Sequence, residues 1–117
     1  MPETDTVDRA DWAAALEQVT ARHAGDLVTI ELLDETYGDL SEAERIPLSS
    51  VTYDPRDDVV IVAVGGNSPR YPVMLRHFVA HPTDIDIDET EAGGAGAMRV
   101  TADSDSTIVS FHPADAL

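Results

Sequence analysis

IPLSSVTYDPRDDVVIVAVGG, residues 46–66, is the stretch whose reading decides the fold. It reads as two strands joined by a tight turn. Residues 59–64 (VVIVAV) are nearly all β-branched, and such side chains suit the pleated surface of a sheet. No polar residue interrupts the run, which predicts a strand covered on both faces, either central in a sheet or part of a barrel wall. Asp54-Pro55-Arg56-Asp57 ahead of it has type I turn chemistry: proline presets φ at the second position, and Asp54 can bond back to the main chain. Gly65-Gly66-Asn67-Ser68-Pro69 closes the second strand with residues that tolerate unusual φ or lack a donor.

Working outward towards the C-terminus, residues 71–80 (YPVMLRHFVA) admit two readings. As a strand, Val73, Leu75, His77, Val79 and His81 face one way, with Met74, Arg76, Phe78 and Ala80 opposite. As a helix, His77 and His81 would stack at i, i+4. Pro72 and Pro82 bracket a segment short for a helix, which favours the strand. Residues 84–89 (DIDIDE) alternate cleanly, with Ile85 and Ile87 inward and the aspartates in water. Residues 93–96 form a glycine-rich turn. Residues 98–102 and 107–112 read as a last hairpin around Asp103-Ser104-Asp105.

Towards the N-terminus, residues 26–34 (DLVTIELLD) form a strand, with Val28, Ile30 and Leu32 on one face and Thr29, Glu31 and Leu33 on the other. Residues 37–45 read as a loop in which Ser41 and Glu44 can close one helical turn as a capping box. Residues 8–23 read as a helix. Trp12, Leu16, Val19 and His23 share one stripe, Asp8 is the expected N-cap, Asp11 adds negative charge to the first turn and Gly25 ends it. Trp12 is expected to anchor the helix on the sheet. Residues 1–7 are expected to be a flexible tail, leaving residues 8–117 as one domain. The expected fold is α+β: an N-terminal helix on a curved antiparallel meander of about seven strands, with closure into a small barrel left open.

Composition narrows the function classes. The 117 residues suffice for one core, burying roughly two thirds of the extended-chain surface. There is no cysteine, which removes disulfides, thiolate metal sites and thiol nucleophiles together. The formal net charge is -16, all seven basic residues are arginine, and 15 Asp outnumber 8 Glu. Such self-repulsion destabilises a compact chain in dilute buffer and is screened by salt, so a halophile's cytosolic protein is expected; the alternative is an arginine-favouring, GC-rich genome. Without basic clusters, neither nucleic acid nor an anionic membrane is an expected partner. The N-terminus lacks a signal-peptide pattern and no apolar run nears the roughly 20 residues that cross a bilayer, so a soluble, cytoplasmic protein is expected.

Four features taken together resemble the domain-of-unknown-function family numbered 5335. They are Trp12 in an opening helix, Gly25-x-Leu27-Val28-Thr29-Ile30-Glu31, Ile46-Pro47-Leu48 before a strand with a following Asp, and His77-x-Val79-x-x-Pro82 leading into Ile85. The resemblance spans residues 8–111 and implies no activity, substrate or catalytic residue. His81 and the acidic surface fall outside the pattern.

His77, Glu31 and Arg76 are the candidate ligand-binding residues. On a strand, His77 and His81 lie about 13 Å apart, too far to share one metal; on a helix they could ligate together, with Glu31 or His112 as a third ligand. The plainer alternative is a histidine whose imidazole bonds a carboxylate or a main-chain carbonyl, such as a His77–Glu31 pair. No phosphate loop, nucleophile elbow or calcium loop is present. No catalytic residue, metal or cofactor is expected. The first reading is a non-enzymatic domain that binds a protein partner or forms a homo-oligomer through its edge strands and the loop at residues 65–71. The second is a small-ligand or metal-binding protein, or an enzyme, with a pocket near His77 and Glu31.

Overall fold

The computed structural model describes residues 3–34, 38–66, 69–89, 96–103 and 105–112. The chain runs β1 (Glu3–Thr6), a 3-10 turn (Arg9–Asp11), α1 (Trp12–His23), β2 (Leu27–Asp34), β3 (Gly38–Asp54), β4 (Val59–Gly65), β5 (Met74–Ala80), β6 (Asp84–Glu89), β7 (Gly96–Ala102) and β8 (Asp105–His112). The strands form one antiparallel sheet in the order β1-β6-β7-β8-β2-β3-β4-β5. Its terminal strands, β1 and β5, do not pair with each other, so the sheet is open and not a barrel.

The seven expected strands are present, with residues 71–80 resolved in favour of the strand. An eighth, β1, lies where a flexible tail was expected. Glu3 to Thr6 pair with Glu89 to Asp86, and the Val7 N–H bonds the Ile85 carbonyl at 2.9 Å. The sequence ETDT has no apolar periodicity, so this strand left no pattern to read; besides the main-chain ladder, the Thr6 hydroxyl bonds Asp86 Oδ1. Residues 1–2 and most of the turn at residues 93–96 lie outside the described residues.

α1 buries Trp12, Leu16, Val19 and His23, the stripe expected from the 3.6-residue period. It starts after the short 3-10 turn, and the Asp8 side chain makes no capping bond, contrary to the expectation. Gly25 takes φ +90 at the helix exit, a left-handed conformation that favours glycine. Its N–H bonds the Leu48 carbonyl at 2.9 Å, while the Leu48 N–H bonds the Asp26 carbonyl at 2.8 Å, so the exit is laced onto β3.

β3 corrects the loop expected at residues 37–45: Gly38–Asp54 is one continuous 17-residue strand. Its polar first half pairs with β2 through register shifts near Ile30, and its second half pairs with β4 through a shift between Leu48 and Ser50. Each bulge inserts an unpaired residue and adds twist, so β3 bends and carries the sheet round a corner. Arg45, with φ +50, sits at one of these irregularities. Tertiary pairing overrides the weak local propensity of GDLSEAER.

Where β2 has turned away, the free flank of β3 is covered by α1. The Thr20 hydroxyl bonds both the N–H and the carbonyl of Val51, each at 2.9 Å. One side chain thereby replaces a missing strand. The core between α1 and the sheet holds Trp12, Leu16, Val28, Ile30, Val51, Val60, Val62, Ile85, Met98, Val100, Val109 and Phe111. Each such side chain contributes about 1.5–3 kcal/mol relative to exposure. His23 fits among them by stacking on Phe111, with centroids 3.9 Å apart and planes 6° apart, while its Nδ1 lies 3.1 Å from Asp26 Oδ2.

β4 is more buried than an alternating strand: Val60, Val62, Ala63 and Val64 are all covered. It lies one strand in from the edge, between β3 and β5. The turn before it matches its chemistry, with Asp54 Oδ1 accepting the Arg56 N–H at 2.9 Å.

Candidate functional site

The curl of the sheet brings β5 over the β7–β8 end. His77 Nε2 lies 3.3 Å from the Thr107 hydroxyl, within hydrogen-bond distance. Between the two strands is a half-open cleft of about 310 Å³, bordered by Leu32, His77, Val79, Ala102, Asp103 and Thr107. Its lining mixes apolar side chains with His77, Asp103, Asp105 and Thr107.

The three expected ligand-binding residues do not converge on this cleft. β2 pairs with β8 in unbroken register, Leu32 opposite Thr107 and Glu31 opposite Ile108. Alternation therefore puts Glu31 on the face away from Thr107 and His77. Arg76 follows the same rule on β5 and is exposed on the face opposite His77. His81 leaves the strand altogether: β5 ends at Ala80, and His81 takes φ +52 in the following turn. The two histidines point to different partners. Among the described residues no three His, Asp or Glu side chains are grouped to hold a metal ion.

His81 joins a second cluster. Its Nδ1 lies 3.2 Å from Asp58 Oδ2; Tyr53 donates its hydroxyl to Asp58 Oδ1 at 2.7 Å, and Arg9 reaches the same oxygen at 3.4 Å. The Arg9 guanidinium also bonds the Pro82 carbonyl at 3.1 Å and lies 4.3 Å from the Trp12 ring centroid. The Tyr53 hydrogen bond and then the one from His81 hold the Asp58 carboxyl below its ordinary value; desolvation opposes them, and Arg9 adds a smaller lowering effect. Both carboxylate oxygens are engaged, and the members come from four chain segments. The cluster is a clasp between the N-terminus, the β3–β4 turn and the β5–β6 turn.

The third feature is the edge at β5. Among the described residues the exposed large apolar side chains are Val73 (68%), Met74 (36%), Leu75 (48%) and Phe78 (58%), all in one short segment. β4 covers one flank of β5, and among the described residues no strand pairs with the other. The His81 N–H bonds the Asp58 carbonyl at 2.8 Å, which sets the phase of the ladder. Counting back by twos, Leu75, His77 and Val79 turn their main-chain groups towards β4. Those of Met74, Arg76, Phe78 and Ala80 turn to the open edge. Gly65 and Gly66, at φ +77 and +84, allow the chain to fold back tightly here: a Cβ on Gly65 would lie 2.5 Å from the Val73 carbonyl oxygen.

Charge reinforces the pattern. No Asp or Glu occurs between Asp58 and Asp84, in a chain with 23 of them. β4, β5 and their connection thus contribute no carboxylate of their own, while Asp103 and Asp105 border β5 across the cleft. This interval was visible in the sequence as a gap in the charge pattern; the exposure of its apolar residues was not.

Among the described residues no helix is long and apolar enough to cross a membrane. A family model described as a family of unknown function, DUF5335, matches residues 3–117. An uncharacterised protein of Aquifex aeolicus (strain VF5) is 25% identical over 111 residues, 95% of this chain and 94% of that relative. No solved structure matches the chain.

Proposed function

We propose that this chain, which belongs to the DUF5335 family of unknown function, is a non-enzymatic interaction domain that docks an extended, apolar strand of a protein on the edge of β5. The observation that carries this reading is the coincidence of an unpaired edge strand with the exposed Val73, Met74, Leu75 and Phe78. Soluble domains blunt their edges with charge, proline or a covering element. β3 follows that rule through α1 and Thr20. β1 is four residues long. β5 is longer and, apart from Arg76, carries apolar side chains where a protected edge would carry charge. Main-chain bonds from Met74, Arg76 and Phe78 would supply affinity, and the apolar row would supply selectivity.

The probe for this reading is a blocked hexapeptide of alternating valine and threonine, titrated in excess into dilute 15N-labelled protein. Amide shifts concentrated between Val73 and Ala80 are expected. Shifts elsewhere with none in this segment would overturn it.

A second reading, a small-ligand pocket, draws on the 310 Å³ cleft beside His77, which is near the lower bound of ligand sites. A small-molecule fragment screen against wild type and His77→Ala tests it: hits that persist unchanged in the variant remove His77 from any such site.

We further propose that the domain works in a salt-adapted cytosol. The support is the net charge of -16 and the use of arginine as the sole basic residue besides histidine.

A further inference from the structure

We infer that the strand docked on β5 is β5 of a second copy of this chain, paired antiparallel about a two-fold axis. The inference rests on the reading of β5 as a docking edge and names its occupant.

Charge selects the occupant. Each copy carries a formal -16, so two copies repel wherever their carboxylates approach. The segment from residue 59 to residue 83 has no Asp or Glu and carries Arg70 and Arg76, with Asp103 and Asp105 beside β5 across the cleft. A contact made through β4 and β5 themselves adds no carboxylate from either copy. From Met74 to Ala80, Arg76 is the one formally charged side chain besides the titratable His77, so the edge is recognised mainly through its apolar groups and main chain. It offers a row of apolar groups, and a second β5 supplies the same row in return.

Symmetry points the same way. A two-fold contact uses one patch twice and closes after two subunits. Pairing β5 with β1 of the next copy would leave a free edge at each end and grow without limit, and β1 offers only the four polar residues Glu3 to Thr6. Antiparallel pairing of β5 with itself leaves no apolar edge behind. Any such register except the one centred on Arg76 keeps the two guanidinium groups from facing each other directly.

The test is the mass of the full chain in solution, by light scattering from micromolar to millimolar concentration and from low to molar KCl. A mass of twice the chain is expected, with the dimer fraction rising with salt as the residual repulsion is screened. Leu75→Glu and Phe78→Glu place carboxylates on exposed positions and are expected to return the protein to a monomer of unchanged circular dichroism. The chain has no cysteine, so single substitutions Met74→Cys, Arg76→Cys and Phe78→Cys give an independent readout. At least one is expected to form a disulfide-linked dimer on oxidation, while Glu17→Cys on the exposed side of α1 is not. A monomer under every condition, with the valine–threonine peptide still shifting β5 amides, overturns the second copy and leaves the docking edge standing. A monomer with no peptide shifts overturns both. A dimer that survives both glutamate variants and cross-links at none of the three positions places the contact elsewhere and overturns the inference.

Discussion

Tyr53 donates its hydroxyl to Asp58 Oδ1 at 2.7 Å, and this bond is the largest cause of the lowered Asp58 pKa and of the raised Tyr53 pKa. The two shifts act at opposite ends of the pH range. The folded Asp58 releases its proton more readily than the unfolded one, so its contribution is fully present above the ordinary value of 3.8 and is lost as pH falls through the lower folded value. Tyr53 holds its proton more tightly when folded, so its contribution is present below 10.0 and is lost as pH rises through the raised folded value. In urea titrations, Asp58→Asn is expected to be less stable than wild type near neutrality, with the gap closing below pH 3.8. A gap that stays constant into acid would show that the Asp58 charge is not what stabilises the clasp.

Trp12 joins the clasp to the core. Its Nε1 donates to the Val7 carbonyl at 2.9 Å, and its ring meets Tyr53 edge-on at 5.2 Å. Trp12→Ala is expected to cost about 3–5 kcal/mol by leaving a cavity. Trp12→Phe keeps most of the packing and is expected to cost much less, with about 1 kcal/mol from the lost hydrogen bond. Chemical denaturation of the two variants checks the order; equal losses would show that the hydrogen bond outweighs the packing.

Thr20 stands in for a strand beside Val51. Thr20→Val keeps shape and removes the hydroxyl, stranding a main-chain donor and acceptor, with an expected cost of about 1–3 kcal/mol. Thr20→Ser keeps the oxygen and is expected to retain most of the stability. If the two variants unfold at the same denaturant concentration, the hydroxyl does not seal β3.

Gly65 combines a left-handed φ with the close approach of the Val73 carbonyl. Gly65→Ala is expected to cost about 1–3 kcal/mol and to disturb the start of β5. An Ala variant as stable as wild type, with unchanged β5 amide shifts, would contradict the tight fold-back.

Salt tests the charge balance. With -16 on 117 residues, thermal stability is expected to rise from low to multimolar KCl. Equal or lower stability at high salt sinks the salt-adapted reading.

Elements with a strong apolar period were legible in the sequence. The stripe Trp12, Leu16, Val19 and His23 fixed the buried face of α1, and VVIVAV and DIDIDE marked β4 and β6. β1 and the first half of β3 were not, because strands of mostly polar residues have no apolar period to read. The separation of the candidate residues was hidden for a related reason. Glu31 and His77 belong to strands far apart in the chain, and only the register of β2 on β8 reveals that alternation separates them. His81 was grouped with His77 by spacing, but the left-handed residue that ends β5 turns it towards Asp58. Edge strands were expected to carry contacts. Which edge is left open to do so depends on the strand order and on the covering of β3 by α1.

Amide hydrogen exchange at Met74, Arg76 and Phe78, compared between dilute and concentrated wild-type protein, tests the docking of β5 most directly. Their N–H groups face the open edge, so exchange is expected to be fast when dilute and to slow markedly with concentration, while Val60 and Val62 in β4 stay protected throughout. Exchange at Met74, Arg76 and Phe78 that is equally fast at both concentrations would contradict the pairing of β5 with a second copy.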